Sequence, residues 1–227
     1  MSARLPRVGR AFGGWSDDPL WASFYDWTVE HSTAGGVLWR LGVGSDLRLL
    51  YDAASEIGRQ PAGARILDLP CGGGVALRGL RPGQGVSYVA ADISPTMLDR
   101  TMESARARGL ADQVEPRTAD VSELPFADGE FDLVVSFTGL HCFPDPRRAV
   151  AEMVRVLRPR GVLTGSALLN DTGARYQPMR LVGRRAGLLG PGCTGTEVQA
   201  WLREEGMENV GLRVSGAIGY FRGVRGR

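Results

Sequence analysis

The stretch Ile66-Leu67-Asp68-Leu69-Pro70-Cys71-Gly72-Gly73-Gly74 decides how this chain folds. A short apolar run closes on an aspartate, and a glycine turn then leads into a segment of helical length. A strand that passes through glycines into a helix aims backbone N–H groups and a positive dipole end at a ligand. Two questions follow: which ligand the turn is built to hold, and why a proline stands at position 70.

Outward from this stretch the same alternation repeats. Arg65 to Leu69 is predicted as a strand, and Gly74 to Leu80 as the start of a helix broken at Arg81-Pro82-Gly83. Val86 to Ala91 is a second strand, with Asp92 at its end. Ser94 and Pro95 supply an N-cap and a first-turn proline for a helix that Gly109 closes. Val114 to Ala119, Phe131 to Phe137 and Gly161 to Leu169 are further strands, the second apolar enough to lie mid-sheet. Pro146 to Leu157 is helical, with Val150, Met153, Val154 and Leu157 on one face. Glu197 to Glu205 is a helix closed by Gly206, and Val210–Val214 and Ala217–Phe221 read as antiparallel final strands. Strands alternating with helices are stacked βαβ units. They predict an α/β fold: a Rossmann-like, doubly wound, seven-stranded sheet, mostly parallel with an antiparallel edge strand.

Residues 1–60 differ and are expected to form a tail and helical cap, with helices at Pro19–His31 and about Ser45–Ile57. Residues 61–227 are expected to form the main domain. Within it, 171–194 is a glycine-rich insertion with one short helix, expected as a lid, because open α/β sheets bind ligands outside the carboxyl ends of their strands. The run Arg180 to Leu189 mixes arginine with apolar residues and could touch a lipid surface or an acidic substrate, but its glycines weaken an amphipathic helix and it reads as a solvated lid face.

Composition narrows the chemistry. The chain has 227 residues, 43% hydrophobic and 23% charged, which is ordinary for one globular domain. No apolar run nears the ~18 residues of a membrane span, and the N-terminus lacks the apolar segment of a secretory signal, so the expected compartment is cytoplasm. A net charge of +2 is too small to imply a nucleic-acid partner. All 27 residues counted as Lys+Arg are arginine, which excludes lysine Schiff-base chemistry. Cys71, Cys142 and Cys193 are too widely spaced for a metal pair and read as reduced thiols; no metal site is expected.

The glycine turn is selective about ligands. A dinucleotide site wants G-x-G-x-x-G/A, and counting from Gly72 the third small position falls on Leu77. A phosphate-cradling P-loop needs a lysine that the chain lacks. What remains is an aspartate, a proline and spaced glycines, with Asp92 twenty residues beyond Gly72. A carboxylate there is placed to accept from both ribose hydroxyls of a nucleoside. Asp68 would face a cationic or amino group beside the turn. A nucleoside with an amino-acid end and no phosphate suits this arrangement, namely S-adenosylmethionine.

The region Ile66 to Leu168 resembles the class I S-adenosylmethionine-dependent methyltransferases. It is most similar to the branch that includes ubiquinone and menaquinone biosynthesis enzymes (methyltransferase type 11). The resemblance is carried in order by ILDLPCGGG, VAADISPTMLDRT, TADVSELPFADGEFDLVVS, LHCF and AVAEMVRVLRPRGVL. It implies that Asp68, Pro70, Gly72 and Gly74 form the methionine-side turn and that Asp92 is the ribose carboxylate, with Ile93 and Met97 flanking the adenine. It also implies that Asp120 and Val121 read the adenine edge and that Phe137 marks backbone contacts to the methionine part. Two positions depart from the family pattern. Pro70 replaces a glycine, which stiffens the turn if φ is already negative and the N–H unused. Arg160 replaces another, which asks only for a turn that tolerates an L-residue.

The implied reaction is in-line methyl transfer to a small, partly apolar acceptor, on oxygen or carbon; the alternative is a cofactor-binding protein without transferase activity. His141, just after the fourth strand, is a candidate general base. Tyr25 and Trp27 are candidates to cover the sulfonium. Cys71 is expected to be buried filler.

Overall fold

The structure is a computed structural model and describes residues 34–227. Tyr25, Trp27 and the helix expected at Pro19–His31 lie outside the described residues. The chain enters through α1 (Ala34–Val43) and α2 (Leu47–Gly58), which precede β1 (Arg65–Asp68). After β1 come β2 (Ser87–Asp92), α3 (Pro95–Ala107), β3 (Val114–Thr118), β4 (Phe131–Phe137), α4 (Pro146–Arg155) and β5 (Leu157–Leu168). A segment carrying α5 (Gln177–Arg185) leads to α6 (Gly195–Glu204), then to β6 (Met207–Ser215) and β7 (Ile218–Arg225).

The seven strands lie in the order β3-β2-β1-β4-β5-β7-β6. The first five run parallel, and β7 is reversed against both β5 and β6. This is the expected mixed, mostly parallel sheet. Its order reverses where β1 stands between β2 and β4, which is where an open α/β sheet leaves a crevice beyond its strand ends. The decisive stretch therefore stands at that crevice.

Alternating residues of the central strands feed two apolar layers, as the two-residue period of a strand requires. Ile66, Tyr88 and Leu133 pack with Leu50 and Ile57 of α2 on one face. Leu67, Val89 and Val134 pack with Met153, Val154 and Leu202 on the other. All of these are essentially without exposed surface, so the central strands read as continuous apolar runs.

The loop between β3 and β4 is fastened to α4 by charged side chains. Arg155 donates to the carbonyls of Leu124 and Phe126 and to Glu152 and Asp128, at 2.7–3.0 Å. Glu152 in turn accepts from the Leu124 N–H at 2.8 Å.

Four local features differ from the sequence expectation. The segment after the glycine turn is a short 3-10 helix at Val75–Gly79, not an α-helix. At its end, a Cβ on Gly79 would lie 1.9 Å from the Ala54 carbonyl oxygen, so α2 packs directly on bare backbone. A further helix, α1, occupies Ala34–Val43. Finally, β5 starts four residues early, at Leu157, through a register shift opposite Phe131 and Leu133. Within that irregularity Arg160 takes φ 66°, the left-handed region. The position is therefore not one that an L-residue occupies comfortably, and it costs on the order of 1 kcal/mol.

Candidate functional site

At the carboxyl end of β1, Asp68 is 1% exposed and accepts a hydrogen bond from the Tyr88 hydroxyl at 2.8 Å. Burial, more than any neighbour, raises its pKa to about 8; the charge of Asp92 adds to the rise and the Tyr88 bond opposes it. At the end of β2, Asp92 is 6% exposed. Its two oxygens accept from the N–H groups of Gly72 and Ser94, each at 3.0 Å. Burial raises the Asp92 pKa too, against the pull of these backbone donors.

The Asp92 carboxylate thus ties the glycine turn of one strand to the helix start that follows the next. Ser94 is the N-cap of α3 by position, but its side chain makes no capping bond; its backbone N–H is held by Asp92 instead. Thr101 of α3 completes the fastening by donating to the Gly72 carbonyl at 2.7 Å.

The turn itself begins with a cis peptide bond between Leu69 and Pro70, a feature absent from the sequence expectation. The flanking N–H groups both remain paired, Leu69 to the Val135 carbonyl and Cys71 to the Ala91 carbonyl, each at 2.9 Å. A residue without an N–H therefore costs the sheet no ladder bond here. Gly72 and Gly74 take positive φ, 50° and 87°. A Cβ on Gly72 would meet nothing within 4 Å, so that backbone faces open space a ligand can approach.

Opposite the turn lies the loop after β4. A Cβ on Gly139 would stand 2.5 Å from the Pro70 ring and 2.8 Å from the Ser136 hydroxyl. The two loops touch at this point, and only glycine fits. Phe137 is buried, and Thr138 follows it at φ 56° with its N–H on the Ser166 carbonyl. His141 stands in the same loop. Its Nδ1 accepts from the Leu168 N–H at 3.0 Å, and its own carbonyl accepts from Gly190 at 2.8 Å. An Nδ1 that accepts leaves the proton of the neutral ring on Nε2. Enclosure of the imidazole lowers its pKa to about 4.

The remaining candidates differ in setting. Met97 is buried beside the start of α3, whereas Ile93 is 65% exposed. Val121 is buried. Asp120 lies on the surface and accepts from both the N–H and the hydroxyl of Ser122, bonds that hold its carboxyl below the usual range. Cys71 is buried with its thiol pKa pushed up by burial, the setting of an inert thiol. Among the described residues no cluster of three metal-ligating side chains occurs, and no helix is long and apolar enough to cross a membrane. A groove of about 390 Å³ lies against α5, lined by Gln177, Pro178, Leu181 and Arg184; it includes none of the strand-tip residues.

Residues 67–164, which hold nearly all of this site, match the family model of a methyltransferase domain. Residues 67–164 of this chain are thus similar to a methyltransferase domain. The chain is 40% identical over 124 residues to the demethylmenaquinone methyltransferase of Thermus thermophilus, covering 54% of this chain and 55% of that one. It is 33% identical over 152 residues to the 27-O-demethylrifamycin SV methyltransferase of Amycolatopsis mediterranei, covering 65% and 55%. An uncharacterised protein of Mycobacterium tuberculosis is 34% identical over 172 residues, covering 67% and 60%. The chain thus spans 55–60% of the length of these curated relatives. Among solved structures, an O-methyltransferase family protein from Burkholderia thailandensis superposes with TM-score 0.69 at 21% identity, covering 90% of this chain and 59% of that one.

Three residues that shape the glycine turn escaped the sequence reading: Tyr88, Thr101 and Gly139. Each acts on a residue twenty or more positions away or, for Gly139, by lacking a side chain. The lone signal was Tyr88, the one residue of a buried apolar strand with a hydroxyl that needs a partner.

Proposed function

We propose that this chain transfers the methyl group of S-adenosylmethionine to a small, partly apolar metabolite, on oxygen or carbon. The observation that carries the reading is the pair of buried carboxylates, Asp68 and Asp92, at neighbouring strand ends. Among the described residues no cation contributes to the surroundings of either. A phosphate is repelled by such a pair, whereas a ligand with a cationic end is attracted. The short 3-10 helix adds to this, since it aims no long helix dipole at a phosphate group.

In this reading Asp92 would accept from the ribose hydroxyls with the lone pairs that Gly72 and Ser94 leave. Asp68 would face the amino-acid end, and the open backbone at Gly72 would lie against it. The exposed Ile93 and buried Met97 would flank the adenine, with Asp120 and Val121 at its edge. The cofactor supplies an activated methyl on a sulfonium. The protein supplies orientation and exclusion of water, and orientation alone lowers such barriers by about 7–11 kcal/mol. The names of the Thermus and Amycolatopsis relatives, a quinone and a macrocycle enzyme, support an apolar metabolite as acceptor. A protein that binds without transferring is less favoured, because Pro70 disturbs no hydrogen bond of the turn.

Calorimetry on the full chain tests this. S-adenosylhomocysteine should bind, NADH should not, and label should leave [methyl-³H]-S-adenosylmethionine when an apolar phenol panel is added. Uptake of NADH in place of S-adenosylhomocysteine overturns the reading.

His141 enters as a positioning residue in place of the general base expected from its location. Its Nδ1 is engaged by Leu168, and a pKa near 4 leaves little proton affinity at neutral pH. His141→Ala should lower stability by about 2 kcal/mol, the cost of stranding the Leu168 N–H. His141→Asn, whose Oδ1 can accept in the same place, should recover most of it. Because the native ring resists protonation, stability should also fall as pH drops from about 6.5 to 4. Neither variant should move the alkaline or acid limb of the pH–rate profile; a lost limb in both would restore the general base.

A further inference from the structure

The lid segment holds a charged group that neither the turn nor the methyl-transfer reading uses. Arg180, on α5, is 1% exposed and is the largest fully buried side chain of the described residues. One nitrogen, Nη2, donates to the Thr172 carbonyl at 2.9 Å and to the Thr172 hydroxyl. Nε and Nη1 are buried with no hydrogen-bond partner. They carry three N–H donors between them, and a guanidinium cannot shed its charge to escape burial. The run read from sequence as a solvated lid face is therefore solvated only in part: Leu181, Val182 and Arg184 are exposed, and Arg180 is not.

Among the described residues Arg180 makes no ion pair; the charge of Asp171 reaches it only through space. Asp171 accepts with both oxygens from the Gly195 N–H at the start of α6, at 3.1–3.2 Å. Arg184 beside it is satisfied by neutral acceptors, the Asn170 side chain and the Pro191 and Gly190 carbonyls. Arg175 lies 4.5 Å over the Tyr176 ring, and Arg180 faces the same ring at 5.9 Å. Among the described residues these three lid arginines have no ion pair with a carboxylate. Desolvation and the charge of Arg184 lower the Arg180 pKa by more than Asp171 and Tyr176 raise it, and an anion in contact would reverse the balance.

The lid is also tied to the loop beside the turn. Leu168, at its entry, bonds the His141 ring, and Gly190, at its exit, bonds the His141 carbonyl. Its Tyr176 packs into the same apolar layer as Leu168 and Ile66. The cation is therefore held at Thr172, four residues beyond the carboxyl end of β5, on the segment that bonds His141.

We infer that Arg180 binds a carboxylate carried by the methyl acceptor, so that the acceptors of this chain are acids. The inference rests on the methyl-transfer reading for the word acceptor, but not for the anion site itself. Charge then sorts the two ligands: the acidic strand tips take the cationic cofactor, and the lid arginine takes the anionic acceptor. With Nη2 engaged by Thr172, the carboxylate would take a charge-assisted hydrogen bond from Nε or Nη1.

The test uses benzoate and its neutral counterpart benzamide, titrated into the full chain by calorimetry, with and without saturating S-adenosylhomocysteine. Benzoate should bind at least tenfold more tightly than benzamide. In Arg180→Met that preference should vanish, and in Arg180→Lys it should be reduced but present. Inorganic phosphate is the control for a general anion site. Equal binding of benzoate and benzamide by the wild-type chain overturns the inference and needs no variant. So does an unchanged benzoate preference in Arg180→Met, or phosphate binding that outcompetes benzoate. If S-adenosylhomocysteine fails to bind while benzoate still discriminates, the methyl-transfer reading falls and the anion site stands.

Discussion

Asp92→Ala should weaken S-adenosylhomocysteine binding by about 100-fold or more, measured by calorimetry on wild type and variant under one buffer. Two losses combine. The carboxylate that would accept from the ribose hydroxyls disappears, and hydrogen bonds to a charged acceptor contribute about 1.5–3 kcal/mol each. The second loss precedes any ligand: the N–H groups of Gly72 and Ser94, both held by this carboxylate at 3.0 Å, are left without it. The turn is then no longer pinned to the start of α3. Because 1.4 kcal/mol is a factor of ten, losing one such bond and loosening the turn reaches the stated size. Asp92→Asn, which keeps one acceptor oxygen, should fall between. An Asp92→Ala chain with native circular dichroism and unchanged affinity would put the nucleoside somewhere else.

The parts of this site that were legible in sequence are those set by local pattern. FDLVVSF is a strand with the predicted limits, Phe131–Phe137, because a buried parallel strand is apolar on both faces. Asp68 and Asp92 were legible because a carboxylate at a strand end has no core role to explain it. What was not legible depends on distant partners. The 3-10 geometry at Val75–Gly79 answers the close approach of Ala54, a contact that no local propensity encodes. Helix α1 was hidden by Gly35, Gly36 and Gly42, which depress helix propensity and blur the apolar period. His141 was read by its position, yet its chemistry is set by the Leu168 N–H, 27 residues away. Arg180 was read by its residue type. Burial of an arginine is rare enough that composition argues for solvent, and only the folded chain shows otherwise.

The proline question has a similar resolution. Pro70 is tolerated because its neighbours' N–H groups reach β4 and β2 without it, and because Gly139 across the crevice leaves room for the ring. The first condition is a property of the sheet and the second of a loop seventy residues on. Neither is written in ILDLPCGGG.

Asp68 should make cofactor affinity and stability respond to pH in opposite senses. Burial raises its pKa to about 8, from an ordinary aspartate value of about 3.9. Below about pH 4 the carboxyl is protonated folded and unfolded, and burial costs nothing. Between about 4 and 8 the unfolded chain ionises while the native one holds its proton, so stability falls by up to about 1.4 kcal/mol per pH unit as pH rises. Above 8 both forms are ionised and the loss is complete. A cationic ligand end prefers the ionised carboxylate, so the competent fraction limits apparent affinity. S-adenosylhomocysteine should therefore bind roughly 50-fold more tightly at pH 8 than at pH 6, the ratio of ionised fractions for a pKa near 8. Asp68→Asn keeps an oxygen for the Tyr88 hydroxyl and cannot ionise. It should melt higher than wild type at pH 8–9, and its weakened binding should lose the pH dependence between 6 and 8. A wild-type affinity that is flat over that range, with a melting temperature no different from Asp68→Asn, would mean that Asp68 is already ionised in the empty site. The pair would then carry its full negative charge before any ligand arrives, and selection of a cationic end would need no deprotonation step.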